Sequence, residues 1–347
     1  MTTQSEIGAG DPLAALRRIA YLLERSHEPT YRVRAFRTAA GVVANLSEQE
    51  LAERVAAGTL RELTGVGDVT AKVITEAAQG EVPVYLRRLE ATGGRPVVEG
   101  GAELRAAVRG DCHTHSDWSD GGSPIVEMAE AARALGHDWS VLTDHSPRLT
   151  VARGLSPERL RAQLDEVERV NEQLAPFRLL TGIEVDILDD GRLDQEDELL
   201  ARLDVVVASV HSHLRMPEPD MTRRMVAAVA NPHTDILGHC TGRLVVGKKR
   251  PESTFDAELV FAACERFGVA VEINSRPERL DPPKRLLRLA VEAGCLLSID
   301  TDAHAPGQLD WQPYGCERAA ACGVAADTVV TTWDAERLLA WSGRHAD

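Results

Sequence analysis

The stretch GDCHTHSDWSDGG, residues 110–122, places two histidines and three aspartates in a segment too short for a helix with one polar face. The apolar residue pattern before it and the His-Thr-His alternation at 113–115 predict the end of a β-strand. Alternate residues of a strand point to the same side, so His113 and His115 can bind one metal ion together. Asp111 and Asp120 lie close enough in sequence to serve the same site.

The pattern recurs along the chain. Seven apolar segments that read as strands alternate with helical segments, which predicts a parallel (β/α) barrel with one strand fewer than the usual eight. The segments are VRGDCHTH, DWSVLTDH, FRLLTGIEVDI, DVVVASVHSH, DILGHC, GVAVEINS and CLLSIDTDAH. All but the sixth end in residues of metal-binding types, namely His113, His115, His145, Glu184, His211, His239, Asp302 and His304. The carboxyl ends of parallel barrel strands lie on one face, so we expect these side chains to converge there.

Composition limits the function classes. The chain of 347 residues carries 39 basic and 54 acidic side chains, a net charge of -15. Residues 1–100 hold 12 basic and 13 acidic side chains, so the net charge of -14 lies in the remainder. This balance argues against nonspecific attraction to nucleic acid or membranes, and an acidic domain acting on anionic substrates needs bound cations. Six cysteines without C-x-x-C pairs, and the lack of a signal or membrane-spanning pattern, predict a cytoplasmic protein.

The first hundred residues read differently, as a run of short amphipathic helices. In LRELTGVGDVTAKVITEAAQG, Gly65 and Gly67 permit a tight turn that directs backbone amides outward at the start of a helix, where a phosphate can bind. This is a helix-hairpin-helix pattern, and Gly65, Gly67 and Lys72 are its candidate DNA contacts. From the two glycines alone, a turn that only joins two packed helices is an equally good interpretation.

The barrel segments resemble the PHP family, named for polymerases and histidinol phosphatases, over about residues 106–340. The motifs that carry the resemblance are DCHTHSDWSDG, LTDHS, GIEVDI, ASVHSH, DILGHCTGR, EINSRPERLD and DTDAH. The resemblance implies a distorted (β/α)7 barrel of PHP type that hydrolyses phosphate esters. It also implies nine metal ligands, and all nine positions are occupied: His113, His115, Asp120, His145, Glu184, His211, His239, Asp302 and His304.

The same resemblance implies three divalent ions per chain. One ion would be held by His113, His115, Glu184 and Asp302, a second by Glu184, His211 and His239, and a third by Asp120, His145 and His304. Histidine-rich ligation suits Zn, Mn or Fe better than Mg or Ca. We expect catalytic roles for Glu184 and Asp302, and for Arg243 as a phosphate clamp.

Other residues near these motifs have secondary roles in this interpretation. Asp144 and Asp300 are candidates for orienting the ligands, and His213 is not expected to be a ligand. Further basic residues in loops at the same end of the barrel are alternative clamps: Arg148, Arg153, Lys248, Arg276 and Arg279.

The amino-terminal part, from LLERSHEPTYRVRAFRTAA to LTGVGDVTAKVI, resembles the helix-hairpin-helix domain of bacterial family X DNA polymerases. In those enzymes a nucleotidyltransferase palm precedes the PHP domain, whereas here only a short linker intervenes, so polymerase activity is not expected. Some relatives use a lysine as a Schiff-base lyase. Val73 stands at that position here, with Lys72 one residue earlier, which argues against lyase activity.

We therefore predict a helical domain over residues 1–95, a linker over 96–105 and a phosphoesterase barrel over 106–347. The leading hypothesis is a metal-dependent phosphoesterase that acts on DNA 3' ends, as a nuclease or phosphatase in repair, with the helical domain presenting the DNA. The alternatives are a small-molecule phosphatase similar to histidinol phosphatase and a non-catalytic DNA-binding or scaffolding module. An amidohydrolase is less well supported, because no lysine lies at a strand end to bridge two metals.

Overall fold

The computed structural model describes residues 8–93 and 97–343. It divides into two compact units, Met1–Pro96 and Val97–Asp347. Among the described helices, none has the length and apolar character that a membrane span requires.

The amino-terminal unit is helical. Asp11 caps its first helix by accepting a hydrogen bond from the Ala14 amide, and Pro12 occupies the first turn. Leu16, Ile19 and Leu23 from one face of this helix are fully buried in the core of the unit. The described helices are α1 (Pro12–Arg25), α2 (Thr30–Ala44), α3 (Glu48–Ala57), α4 (Asp68–Ala78) and α5 (Val84–Gly93).

The second unit alternates strands and helices. Its six described strands form one parallel sheet in sequence order, β1 to β6. The strands are β1 (Trp139–Leu142), β2 (Arg178–Asp186), β3 (Val205–Ser209), β4 (Ile236–Leu237), β5 (Ala270–Asn274) and β6 (Leu297–Asp300). The helices are α6 (Ala102–Ala107), α7 (Ile125–Ala134), α8 (Pro157–Leu174), α9 (Asp197–Leu200), α10 (Glu218–Val229), α11 (Ala257–Phe267), α12 (Lys284–Glu292), α13 (Gln312–Ala321) and α14 (Ala335–Ser342).

The first of the seven predicted strands is not a regular strand. Thr114 makes parallel bridges to Leu142, the last residue of β1, and to Ala303 after β6, so the segment links both edges of the six-stranded sheet and curls it into a barrel. The reason for the irregularity is that side chains replace part of the backbone ladder. The Cys112 amide donates to the Asp300 carboxylate at 2.8 Å, and the Thr114 amide donates to Thr143 Oγ1 at 3.0 Å.

The segment predicted as a linker, 96–105, overlaps the start of α6. Residues 102–105 form the first turn of α6, because Leu104 packs into the hydrophobic core of the barrel and is only 7% exposed.

The close approach of Gly110 to the ring of Trp139 yields a prediction about stability. A methyl group added at Gly110 would lie 2.3 Å from Cδ2 of the buried Trp139 ring. We expect Gly110→Ala to lower the free energy of unfolding of the barrel by about 1–3 kcal/mol, measured by urea denaturation. Gly122→Ala is the matched control, since its methyl group would meet only the His304 carbonyl at 3.6 Å. Equal loss of stability in the two variants would contradict the prediction.

Candidate metal centre

The barrel brings all nine predicted ligand residues to the carboxyl ends of its strands. Glu184 lies within β2, two residues before its end, and the other eight lie on the bridging segment or on loops that follow it or a strand. His113 and His115 lie on the bridging segment and Asp120 on the loop after it, His145 follows β1, Glu184 lies on β2, His211 follows β3, His239 follows β4, and Asp302 and His304 follow β6.

Their donor atoms form four overlapping groups, within each of which the atoms lie no more than 4.8 Å apart. The groups are His115, Asp120, His145 and His304; His113, Glu184 and His239; His113, His115 and Asp302; and His145, Glu184 and His211. The predicted partition placed His211 and His239 together with Glu184. In the structure these two histidines fall in different groups, although Glu184 belongs to both.

Glu184 is the centre of this cluster and is 1% exposed. Its Oε1 lies 2.8 Å from His239 Nε2 and 3.1 Å from His211 Nε2. Its Oε2 lies 2.8 Å from His145 Nδ1 and 3.3 Å from His113 Nε2. One buried carboxylate therefore faces imidazoles from four separate segments of the chain.

The ring nitrogens of this cluster test whether a metal suits the site. In the described part of the chain, both nitrogens of His115 and of His211 make no hydrogen bond, and neither does Nε2 of His113 or Nδ1 of His239. Buried polar atoms are normally paired, so a group of unpaired imidazole nitrogens around carboxylates calls for another partner. Divalent transition metals accept this combination of nitrogen and oxygen donors.

Glu272 on β5 contacts two of the predicted ligand residues, and the sequence analysis did not identify it. Its Oε1 lies 2.6 Å from His113 Nδ1, and its Oε2 accepts from the His239 backbone amide and, at 3.3 Å, from Asn274 Nδ2. The hydrogen bond to Nδ1 leaves Nε2 of His113 free to face Glu184. A charged residue in the apolar strand AVEIN was the available signal, but it lies two residues before the strand end.

The two aspartates predicted to orient ligands have different surroundings. Asp144 accepts hydrogen bonds from Ser116, Ser119 and Gln163 and so holds the loop that leads to Asp120. Asp300 accepts from the Cys112 amide, and burial together with the neighbouring Asp111 carboxylate raises its pKa well above the usual range.

Two arginines on the loop after β5 reach the cluster. Arg279 Nε lies 3.0 Å from Asp302 Oδ2, and Arg276 Nη1 lies 3.4 Å from Asp302 Oδ1. Although burial opposes ionisation, these two guanidinium groups hold the pKa of Asp302 well below its usual range. Asp302 has φ of 53°, a strained backbone conformation for a residue other than glycine.

A recess of about 430 Å³ opens above the cluster. It is lined by five predicted ligands, the two arginines and several aliphatic side chains. The lining residues are Asp120, His145, Leu149, Val151, Ala152, His211, Leu244, Val246, Arg276, Glu278, Arg279, Asp302 and His304.

The structure does not bring Arg243 to this recess. Its guanidinium donates to the backbone carbonyls of Arg279, at 3.0 Å, and of Leu280. Arg243 thus supports the loop that carries Arg276 and Arg279, and sequence position alone could not distinguish these cations. His213 also lies outside the four groups, with its ring 2.9 Å from the Asp189 carboxylate.

The hairpin residues lie in the helical unit. Gly65 has φ of +97°, and a methyl group there would meet Thr38 Cγ2 at 2.6 Å, so the turn requires glycine. Gly67 is the amino-terminal cap of α4, and its amide bonds to Thr70 Oγ1. Lys72 is 71% exposed, with Glu76 at 3.8 Å.

Comparison with known proteins finds a matching family model in each of the two units. A helix-hairpin-helix domain model matches residues 10–82, and a PHP domain model matches residues 111–276. A Bacillus subtilis protein named DNA polymerase/3'-5' exonuclease PolX is 42% identical over 212 residues, 61% of this chain and 37% of that protein. The chain thus spans well under half of that relative's length.

Two further matches concern phosphatases. A protein of Acetivibrio thermocellus named "probable phosphatase" is 31% identical over 203 residues, 56% of this chain and 78% of that protein. The crystal structure of histidinol phosphate phosphatase from Lactococcus lactis, complexed with zinc, L-histidinol and phosphate, matches with 15% identity and a TM-score of 0.45, over 62% of this chain and 94% of that one.

The fold and its site define a hydrolase that acts on phosphoester bonds. The chain belongs to the PHP domain family and carries a helix-hairpin-helix domain before the barrel.

Proposed function

We propose that the protein is a metal-dependent phosphoesterase that processes the 3' ends of DNA, as a nuclease or end phosphatase. The observation that carries the hydrolytic part is the set of unpaired imidazole nitrogens around the buried carboxylates of Glu184 and Asp302, with two arginines in the same recess. This combination suits binding of an anionic phosphate ester next to divalent cations.

The barrel would hold three divalent ions of Zn, Mn or Fe, with the nine predicted ligands as their donors. Bound divalent ions supply Lewis acidity and neutralise charge that develops on phosphoryl oxygens. Glu184 and Asp302 would keep the ions together, since each carboxylate faces several imidazoles or arginines. Arg276 and Arg279 would bind the phosphate, and Arg243 would hold their loop in place.

The DNA part of the proposal is supported by the helix-hairpin-helix match and by the polymerase and exonuclease name of the Bacillus relative. In the helical unit, Gly65, Gly67 and Lys72 would contact the DNA backbone. Of the three arginines in YRVRAFR, Arg32 bonds to Glu28 and Tyr85, and Arg37 pairs with Glu24. Arg34 is exposed and makes no such pair within the described residues.

The second candidate is a small-molecule phosphatase, which the ion pairs of Arg32 with Glu28 and of Arg37 with Glu24 favour, because they reduce the free positive charge of the YRVRAFR segment. A purely scaffolding role is disfavoured, since none of the nine ligand positions is lost. The six buried, unpaired thiols support a cytoplasmic location.

The deciding experiment compares two substrates with Mn²⁺ or Zn²⁺ supplied. Release of nucleotides or phosphate from 3'-ended DNA is measured against release of phosphate from histidinol phosphate, for the wild type and for His113→Ala. We expect DNA processing by the wild type and a loss of about 100-fold or more in the variant. Turnover of histidinol phosphate alone would support the small-molecule phosphatase, and no turnover of either substrate would contradict the proposal.

A further inference from the structure

Two ordered loops border the recess of the candidate metal centre, and we call them together the basic rim. The first covers residues 147–153 and contains a short 3-10 helix over Thr150–Ala152. It is closed by a hydrogen bond from the Leu155 amide to the His145 carbonyl at 2.7 Å. Although the loop is fixed in this way, Val151 lines the recess and is 90% exposed.

The second loop covers residues 244–250 and forms a small hairpin, in which Leu244 and Arg250 pair as antiparallel neighbours. The Val245 amide donates to the Glu278 carbonyl at 2.6 Å, which ties this hairpin to the loop of Arg276 and Arg279. Val246 lines the recess and is 48% exposed. Each loop thus presents an exposed aliphatic side chain at the mouth of the site.

The charge of the basic rim contrasts with that of the whole protein. The two loops contain Arg148, Arg153, Lys248, Lys249 and Arg250 and no acidic residue, in a chain of net charge -15. Arg250 and Arg153 donate to the backbone carbonyls of Gly242 and Asp117. The other three are exposed, and their side chains form no ion pair with the residues that the structure describes.

We propose that the basic rim binds an unpaired nucleic-acid strand whose 3' end enters the recess. This inference rests on the phosphoesterase function proposed above and names its substrate class. A small ester with one phosphate would be satisfied by Arg276 and Arg279 in the recess and would leave the three free cations of the rim unused. A strand carries further phosphates for these cations and apolar base faces for Val151 and Val246. A positively charged surface that follows the backbone is typical of single-strand binding proteins.

The depth of the site favours an unpaired end over a duplex. His113 and His115 are fully buried and Asp302 is 2% exposed. A flexible strand end can enter a recess of about 430 Å³, whereas a paired terminus brings a second strand that needs more room.

The test uses the full chain and a fluorescent single-stranded 12-nucleotide DNA with a 3' phosphate. Anisotropy in EDTA measures binding without turnover, and assays with Mn²⁺ measure kcat/KM for this DNA and for p-nitrophenyl phosphate. For Lys248→Ala/Lys249→Ala we expect about tenfold weaker binding and a fall of about 1.4 in the slope of log affinity against log salt. The ratio of kcat/KM for DNA to that for p-nitrophenyl phosphate should fall about tenfold.

Arg202→Ala/Arg266→Ala is the matched control, because it removes two exposed cations before the amino-terminal ends of β3 and β5, whereas the recess lies at the carboxyl ends. This variant should change none of these values. Unchanged binding in the lysine variant, or a loss that appears only in Arg34→Ala/Lys72→Ala of the helical unit, would overturn the inference. If the wild type hydrolyses neither substrate, the proposed phosphoesterase function fails, and the binding measurement still decides whether the rim holds the strand.

Discussion

Glu184→Gln is expected to abolish most phosphoester hydrolysis, with a fall in kcat of about 10³-fold or more. The reason is that Glu184 faces His113, His145, His211 and His239 with a single buried negative charge. Glutamine keeps the shape of the side chain but removes the charge. Its amide nitrogen cannot coordinate a metal ion, whereas both oxygens of the glutamate can. We also expect the variant to retain at least one ion fewer per chain than the wild type, measured by elemental analysis after dialysis.

Glu258→Gln is the control for this substitution, because it makes the same chemical change on the first turn of α11, away from the recess. It should leave kcat and the metal content unchanged. Wild-type metal content together with wild-type kcat in Glu184→Gln would show that the metals and the reaction lie elsewhere in the protein.

Glu272→Gln is the second substitution with a large expected effect, since it should weaken metal affinity about 10- to 100-fold. Among the described residues, every polar partner of the Glu272 carboxylate is a donor: Nδ1 of His113, the His239 amide and Nδ2 of Asn274. A carboxylate can accept from all three. A glutamine must direct its amide group at one of them, so either the ring of His113 turns or the backbone at His239 shifts.

The measurement for Glu272→Gln is a chelator competition for bound metal, together with kcat/KM as a function of metal concentration and the thermal midpoint. A positioning role predicts that excess metal restores much of the activity. Loss of activity that excess metal does not restore, with metal affinity unchanged, would contradict this role. A lowered thermal midpoint alone would indicate that Glu272 stabilises only the fold.

Much of the barrel follows from local sequence patterns. The second to seventh predicted strands contain the observed β1 to β6 in order, because buried parallel strands are short apolar runs bounded by turns. The strand-end positions of the histidines are equally local information, since each follows its apolar run directly. For this reason the gathering of the eight ligand residues predicted at strand ends could be anticipated from the sequence, whereas the place of Asp120 was implied by the family resemblance. Their binding of metals remains a prediction.

Tertiary structure alone decided the features that depend on side chains far apart in sequence. The bridging segment is not a regular strand because Asp300 and Thr143 accept hydrogen bonds from its amides. Residues 102–105 are helical because Leu104 packs into the core. The same holds for the choice among cations: Arg243 turns to the carbonyls of Arg279 and Leu280, whereas Arg276 and Arg279 reach Asp302.

Glu272 shows most clearly which features sequence patterns alone do not predict. Glu272 lies two residues before the end of its strand, as Glu184 does, so position relative to the strand end does not distinguish these two glutamates. Glu272 is connected to the site through His113, which lies 159 residues earlier. The sequence by itself determined the order of the elements and the types of chemical group at their ends, because these depend on neighbouring residues. The pairing of those groups depends on the closed barrel, because only its packing brings the distant segments within hydrogen-bonding distance.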